Sequence, residues 1–155
     1  SSASAWTSMA EQKGNRARFL AVGAAAAYTL DAESSGCIVS ADVSARNVAV
    51  TLPAVEAGLN YTFIVTVTGS YDLEIVSPAA ANYFIGGLVF LDDDETSAAD
   101  QFGPIVSDNN SNDFCTINVP KAGSRVEVVC DGTNWHAAGT VLSVTAPAFG
   151  DASGM

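Results

Sequence analysis

Between Lys121 and Gly139 the chain reads KAGSRVEVVCDGTNWHAAG, two runs of alternating apolar and polar residues separated by Asp131-Gly132. Alternation of this kind puts one set of side chains on each side of a pleated strand, and an Asp-Gly pair between two such runs folds the chain back as a β-hairpin. The pair suits a type I′ turn, in which both central residues take positive φ. Asp131 and Gly132 are therefore expected at the tip of a structural hairpin, with Trp135 re-entering the sheet just beyond it. An aromatic residue beside a turn either closes the end of a β core or offers its ring to a sugar. The parity of the strand decides between the two.

Similar signals recur along the body. Asn47 to Leu52 alternates and Pro53 stops it, while Tyr61 to Thr68 (YTFIVTVT) is β-branched and aromatic. Gly69-Ser70 is read as the turn of a second hairpin, leading into Tyr71 to Ser77. Asn82 to Leu91 carries Gly86-Gly87, a sign of a bulge or bend. Phe114 to Val119, Ser124 to Cys130, Trp135 to Ala138 and Thr140 to Thr145 complete the set, and Asp92 to Asn112 is read as one long surface loop. Strands at roughly 8–12-residue intervals predict an all-β fold, a small antiparallel barrel or sandwich with little helix. No internal repeat of fixed period is visible. Three parts are expected: an extended N-terminal arm over 1–20, a β-rich body over 21–145, and a small, polar C-terminal tail over 146–155.

Charge narrows the function classes. Formal net charge is −11, and three of the six basic residues (Lys13, Arg16 and Arg18) fall close together before Phe19. An acidic body without a basic face repels phosphate backbones, so nucleic acid is not an expected partner. The basic cluster fits either an acidic protein surface or a solvated tail. No apolar run approaches the roughly 20 residues that cross a bilayer, so no membrane partner is expected. The longest apolar segment, Phe19 to Tyr28, lacks the flanks of an intact signal peptide. Cys37, Cys115 and Cys130 are odd in number and widely spaced, which suits reduced core thiols made in a reducing cytoplasm better than a disulfide framework.

Catalytic and metal chemistry find little purchase. Asp92-Asp93-Asp94-Glu95, with Asp100 and Asp108 nearby, is the densest set of hard oxygen ligands, but it lacks the spacing of a calcium loop and reads as a solvated segment. The single histidine, His136, has no Cys-x-x-Cys to complete a zinc site. It lies six residues beyond Cys130, within reach if the hairpin folds that way, yet a thiol on a buried strand is ordinarily packing. Glu74 has no evident partner carboxylate, and no nucleophile elbow occurs. The expectation is a protein that is not an enzyme and that needs no cofactor.

A wider pattern is carried by Thr51-Leu52-Pro53-Ala54, Ala57-Gly58-Leu59-Asn60-Tyr61-Thr62-Phe63-Ile64-Val65, Lys121-Ala122-Gly123, and Val128 to His136 with Gly139. Over roughly Ile38 to Gly139 the chain resembles small β-rich structural proteins of tailed bacteriophages, in particular capsid decoration (cement) proteins of the lambda-type head-stabilising family taken broadly. Some tail-fibre modules share the layout. The resemblance implies a β-tulip-like domain that forms a homotrimer on the outer capsid surface of the virion after synthesis in the host cytoplasm. There it would bridge subunits of the major capsid protein. It also implies that an N-terminal arm touches the capsid, for which Trp6, Met9, Lys13, Arg16, Arg18, Phe19 and Leu20 are the candidates here. The alternative it leaves is a tail-fibre or spike head module that binds host surface glycans.

Overall fold

Short apolar segments separated by corners rich in Gly, Ser and Asn send the chain back and forth between two sheets. The computed structural model describes residues 16–93 and 102–151. In the first half, β1 (Phe19–Val22), β3 (Ile38–Asp42) and β5 (Asn60–Val67) lie in one sheet, and β2 (Ala27–Thr29), β4 (Val48–Thr51) and β6 (Leu73–Val76) in the other. The first three pair in parallel with one another, and so do the second three. The chain thus climbs through three stacked rungs, each contributing one strand to either sheet, as in a short solenoid. Phe19 stands opposite Ile38 and Ile38 opposite Thr62, so successive rungs differ in length. Unequal rungs explain why no fixed period shows in the sequence.

The second half closes around this stack. β7 (Phe84–Asp92), β8 (Phe102–Val106), β10 (Arg125–Cys130) and β11 (Trp135–Ser143) extend the first sheet to the order β1-β3-β5-β10-β11-β7-β8. β9 (Phe114–Ile117) and β12 (Ala148–Gly150) extend the second to β12-β9-β6-β4-β2. Helix is confined to one 3-10 turn, Ala32–Ser34, among the described residues. The architecture is all-β and sandwich-like, with two mixed sheets that do not close.

An antiparallel barrel or sandwich is therefore corrected to an open, mixed one, and the cause lies at Gly69-Ser70. β5 and β6 do not form a hairpin; they belong to different sheets. The Asp72 N–H donates to Asn47 Oδ1 at 3.0 Å and the Val48 N–H to the Asp72 carbonyl at 3.0 Å, which docks β6 alongside β4 in the preceding rung. A Gly-Ser corner permits either outcome, and pairing with β4 decides. Segments read as arm, loop and tail also contain strands: β1 starts at Phe19, β8 lies within the acidic stretch, and β12 falls after Ala146.

Alternation sets the core. Tyr61, Phe63 and Val65 of β5, Val126, Val128 and Cys130 of β10, and Trp135, Ala137 and Val141 of β11 point inward from the large sheet. They meet Val48, Val50, Leu73, Ile75, Cys115 and Ile117 of the small sheet. Each large side chain buried here contributes roughly 1.5–3 kcal/mol. Gly86, inside β7 with φ +96°, meets the expected special backbone in that strand. A Cβ there would lie 2.6 Å from the Ala137 carbonyl oxygen, so β7 and β11 approach only because the side chain is missing.

Candidate functional site

Two places gather the residues singled out by the sequence, and they differ in kind. The first is the β10–β11 tip, residues 131–134. Asp131 is not among the non-glycine residues with positive φ, whereas Gly132 sits at +103°, so the tip is a four-residue loop rather than a type I′ turn. The Asp131 carboxylate organises it. Its Oδ1 accepts the backbone N–H groups of Thr133 and Asn134, each at 2.8 Å, and its Oδ2 lies 2.8 Å from His136 Nε2. The Asn134 amide above all, then His136 and the Thr133 amide, hold this carboxyl down at about 2.

The tip is also stapled to its neighbours. Asn82 Nδ2 donates to the Thr133 carbonyl at 2.8 Å, the Tyr83 N–H to Asn134 Oδ1 at 3.2 Å, and the Gly58 N–H to the Cys130 carbonyl at 2.9 Å. Trp135 is 0% exposed and packs against Tyr61 with ring centroids 6.1 Å apart. A ring so placed cannot stack on a sugar. Cross-strand register pairs Cys130 with Trp135 and Val129 with His136, so the buried thiol and the exposed imidazole point to opposite faces. Sequence proximity therefore creates no Cys–His pair.

The second place is the open end of the rung stack. Arg16, Arg18, Phe19 and Leu20 are described and exposed, with Phe19 at 64%. Trp6, Met9 and Lys13 lie outside the described residues. β1 is the last strand of its sheet in the described chain, and β2 the last of the other. Unpaired edges invite strand addition unless they are blunted. β8, the opposite edge of the large sheet, carries Pro104, and β12 is three residues long and preceded by Pro147. β1 (FLAV) has neither proline nor charge.

Beside β1 a cavity of about 270 Å³ is bordered by Arg18, Phe19, Leu20, Asp31, Glu33, Ser34 and Cys37. Its polar groups are engaged in local structure. Asp31 Oδ1 caps the 3-10 turn by accepting the Ser34 N–H at 2.8 Å, the Asp31 carbonyl accepts the Tyr61 hydroxyl at 2.6 Å, and Arg18 Nη2 donates to the Glu33 carbonyl at 2.8 Å. Burial pushes the Cys37 thiol up, which keeps it protonated and unreactive. The surroundings suit apolar and main-chain contact more than bond-making.

The remaining candidates are dispersed. Asp93 pairs with Lys121 at 3.1 Å, while Asp94, Glu95 and Asp100 lie outside the described residues. Among the described residues no group of three or more His, Cys, Asp or Glu side chains could hold a metal. Cys37, Cys115 and Cys130 are free and buried, and desolvation pushes Cys115 up to about 12. Asp108 sits well below the usual carboxylate range because the amides of Ser111 and Asn110 point at it, which makes it the anchor of its own loop. Sequence reasoning placed Phe19 and Leu20 in an arm and missed that they form an edge strand; FLAV, apolar throughout, lacks the alternation that would have shown it. Compared with protein families, curated proteins and solved structures, the chain matches none.

Proposed function

We propose that this chain is a structural component of a tailed-phage head, a decoration protein that binds the outer surface of the expanded capsid as a homotrimer and bridges major capsid subunits without catalysis. The observation that carries the reading is the β1 edge, unpaired on one side among the described residues, with Phe19 exposed on a strand that continues directly from Arg16 and Arg18. An extended capsid segment can add to such an edge: main-chain hydrogen bonds supply affinity, and side chains on alternate positions supply register. Three copies around one axis hold three such edges, so contacts weak on their own gain from high effective concentration once the first has formed. The phage-like turn-and-strand pattern of the body supports the same assignment.

The experiment is to measure copy number in purified virions and co-sedimentation with expanded heads. Abundance in proportion to the major capsid protein, and saturable binding to expanded but not unexpanded heads, is the expected result. Recovery confined to the tail, or turnover of a soluble compound by the isolated chain, overturns it.

A further inference from the structure

Asp131-Gly132 is the one Asp-Gly pair in the sequence, which contains no Asn-Gly. Such a pair carries a chemical liability besides its use in turns. The backbone nitrogen of the glycine can attack the aspartate Cγ, closing a five-membered succinimide ring while the amide proton and a carboxyl hydroxyl leave as water. Water then reopens the ring at either carbonyl. Opening at Cγ restores aspartate. Opening at the former main-chain carbonyl gives isoaspartate, in which the chain runs through Cγ and the free carboxylate sits on Cα. One water is lost and one regained, so no other reactant is needed. Glycine favours the attack because it has no side chain to hinder its nitrogen and the least restricted backbone.

The fold opposes each requirement of this rearrangement. Attack turns a flat carboxylate into a tetrahedral carbon and expels one of its two oxygens. Oδ1 holds the Thr133 and Asn134 amides, each at 2.8 Å, and Oδ2 lies 2.8 Å from His136 Nε2, so losing either oxygen breaks an anchor of the tip. The oxygen leaves as water only from a protonated carboxyl, and this one is held at about 2. The nucleophile is engaged as well: the Gly132 N–H donates at 3.4 Å to Cys130 Sγ, a thiol fixed in the core. The product fits no better. Isoaspartate adds a methylene to the main chain between Cys130, whose carbonyl accepts the Gly58 N–H at 2.9 Å, and Asn134, whose carbonyl accepts the Asp131 N–H at 3.1 Å.

We infer that Asp131-Gly132 is a latent modification site, kept as aspartate in the folded protein by the clamp on its carboxylate and converted to isoaspartate wherever that clamp is released. His136, exposed and in contact only with Oδ2 of the clamp, is the positioning residue that leaves the rest of the fold intact when removed. The inference stands apart from the capsid reading. The test is prolonged incubation of the full chain at neutral pH, folded and in urea, with isoaspartate at position 131 counted by mass spectrometry of its proteolytic fragment. The folded chain is expected to accumulate isoaspartate at least about tenfold more slowly than the unfolded one, because the reaction follows the population of the open tip. His136→Ala is expected to raise the folded rate severalfold with unchanged circular dichroism. Asn82→Ala releases the Thr133 carbonyl but leaves the carboxylate clamped, and is expected to stay near wild type. A folded chain that isomerises as fast as the unfolded one overturns the inference, as does a His136→Ala protein no faster than wild type. Equal acceleration by Asn82→Ala would place the protection in the stiffness of the loop and overturn the clamp.

Discussion

The β10–β11 tip and the β1 edge each combine an aromatic residue with charged neighbours, yet they use them in opposite ways. At the tip, Asp131 spends its acceptors on the amides of its own loop and Trp135 is wholly enclosed. At the edge, Phe19 stands in solvent beside Arg18, on a strand with one side open in the described chain. Residue type alone does not tell a closed feature from an open one; the enclosure of the ring and the pairing of the backbone do. The tip is closed on itself, whereas β1 pairs with β3 on one side and is the last strand of its sheet among the described residues.

Trp135 gives the largest effect. Trp135→Ala removes the biggest fully buried side chain, which stands against Tyr61. A change of this kind costs about 3–5 kcal/mol. Urea denaturation at constant m should show that loss in full. A cost under about 1 kcal/mol would mean that the tip is not the anchor described, because surface changes fall in that range.

The strands behind this contrast were partly legible beforehand, and the contrast itself was not, for specific reasons. β5 and β10 alternate over most of their length, so their inward faces largely follow from period two, with Ile64 and Val129 as apolar exceptions on the outer side. The exposure of Trp135 was left open by the sequence; the register decides it, because Cys130 and Trp135 are cross-strand partners and share the inward face. The rung order was not legible, because a Gly-Ser corner serves a hairpin and a sheet-to-sheet crossing equally well, and the choice depends on the partner strand β4, distant in sequence. β8 (FGPIV) hides behind its Gly and Pro, and β12 (AFG) is too short to show a period. Of the site, Arg18, Phe19 and Leu20 were picked out as contact residues, but their role as a sheet edge appears only when β3 is seen to pair on one side.

A moderate effect belongs to acid. The Asp131 carboxyl is held at about 2 in the fold, below its value of roughly 4 in an unfolded chain. A depressed carboxyl contributes stability that is present above pH ~4 and is lost as pH falls through about 2. Tm should therefore drop between those limits, and Asp131→Asn should flatten part of that drop while lowering Tm by a few degrees at neutral pH. Asp108, shifted in the same direction, contributes to the wild-type curve, so the difference between the two proteins is the quantity to read. Parallel curves would show that the carboxylate at the tip carries no linkage and that the loop is held by its neighbours alone.

The smallest effect on stability is the most telling for the comparison. Phe19→Ser takes away a ring that is 64% exposed at the start of β1 and leaves the β1–β3 backbone pairing in place. A change at such a site stays within about 0.5 kcal/mol of wild type. If the edge receives a capsid strand, the same substitution weakens binding to expanded heads by roughly tenfold, the equivalent of about 1.4 kcal/mol, because an aromatic anchor is lost from the contact. The two numbers must separate: denaturation unchanged, head affinity reduced. Were Phe19→Ser to destabilise the fold as Trp135→Ala does, β1 would be a piece of core like the hairpin tip, and the distinction between the two regions would collapse. Unchanged stability with unchanged affinity would leave the edge open but idle, and would move the capsid contact elsewhere on the molecule.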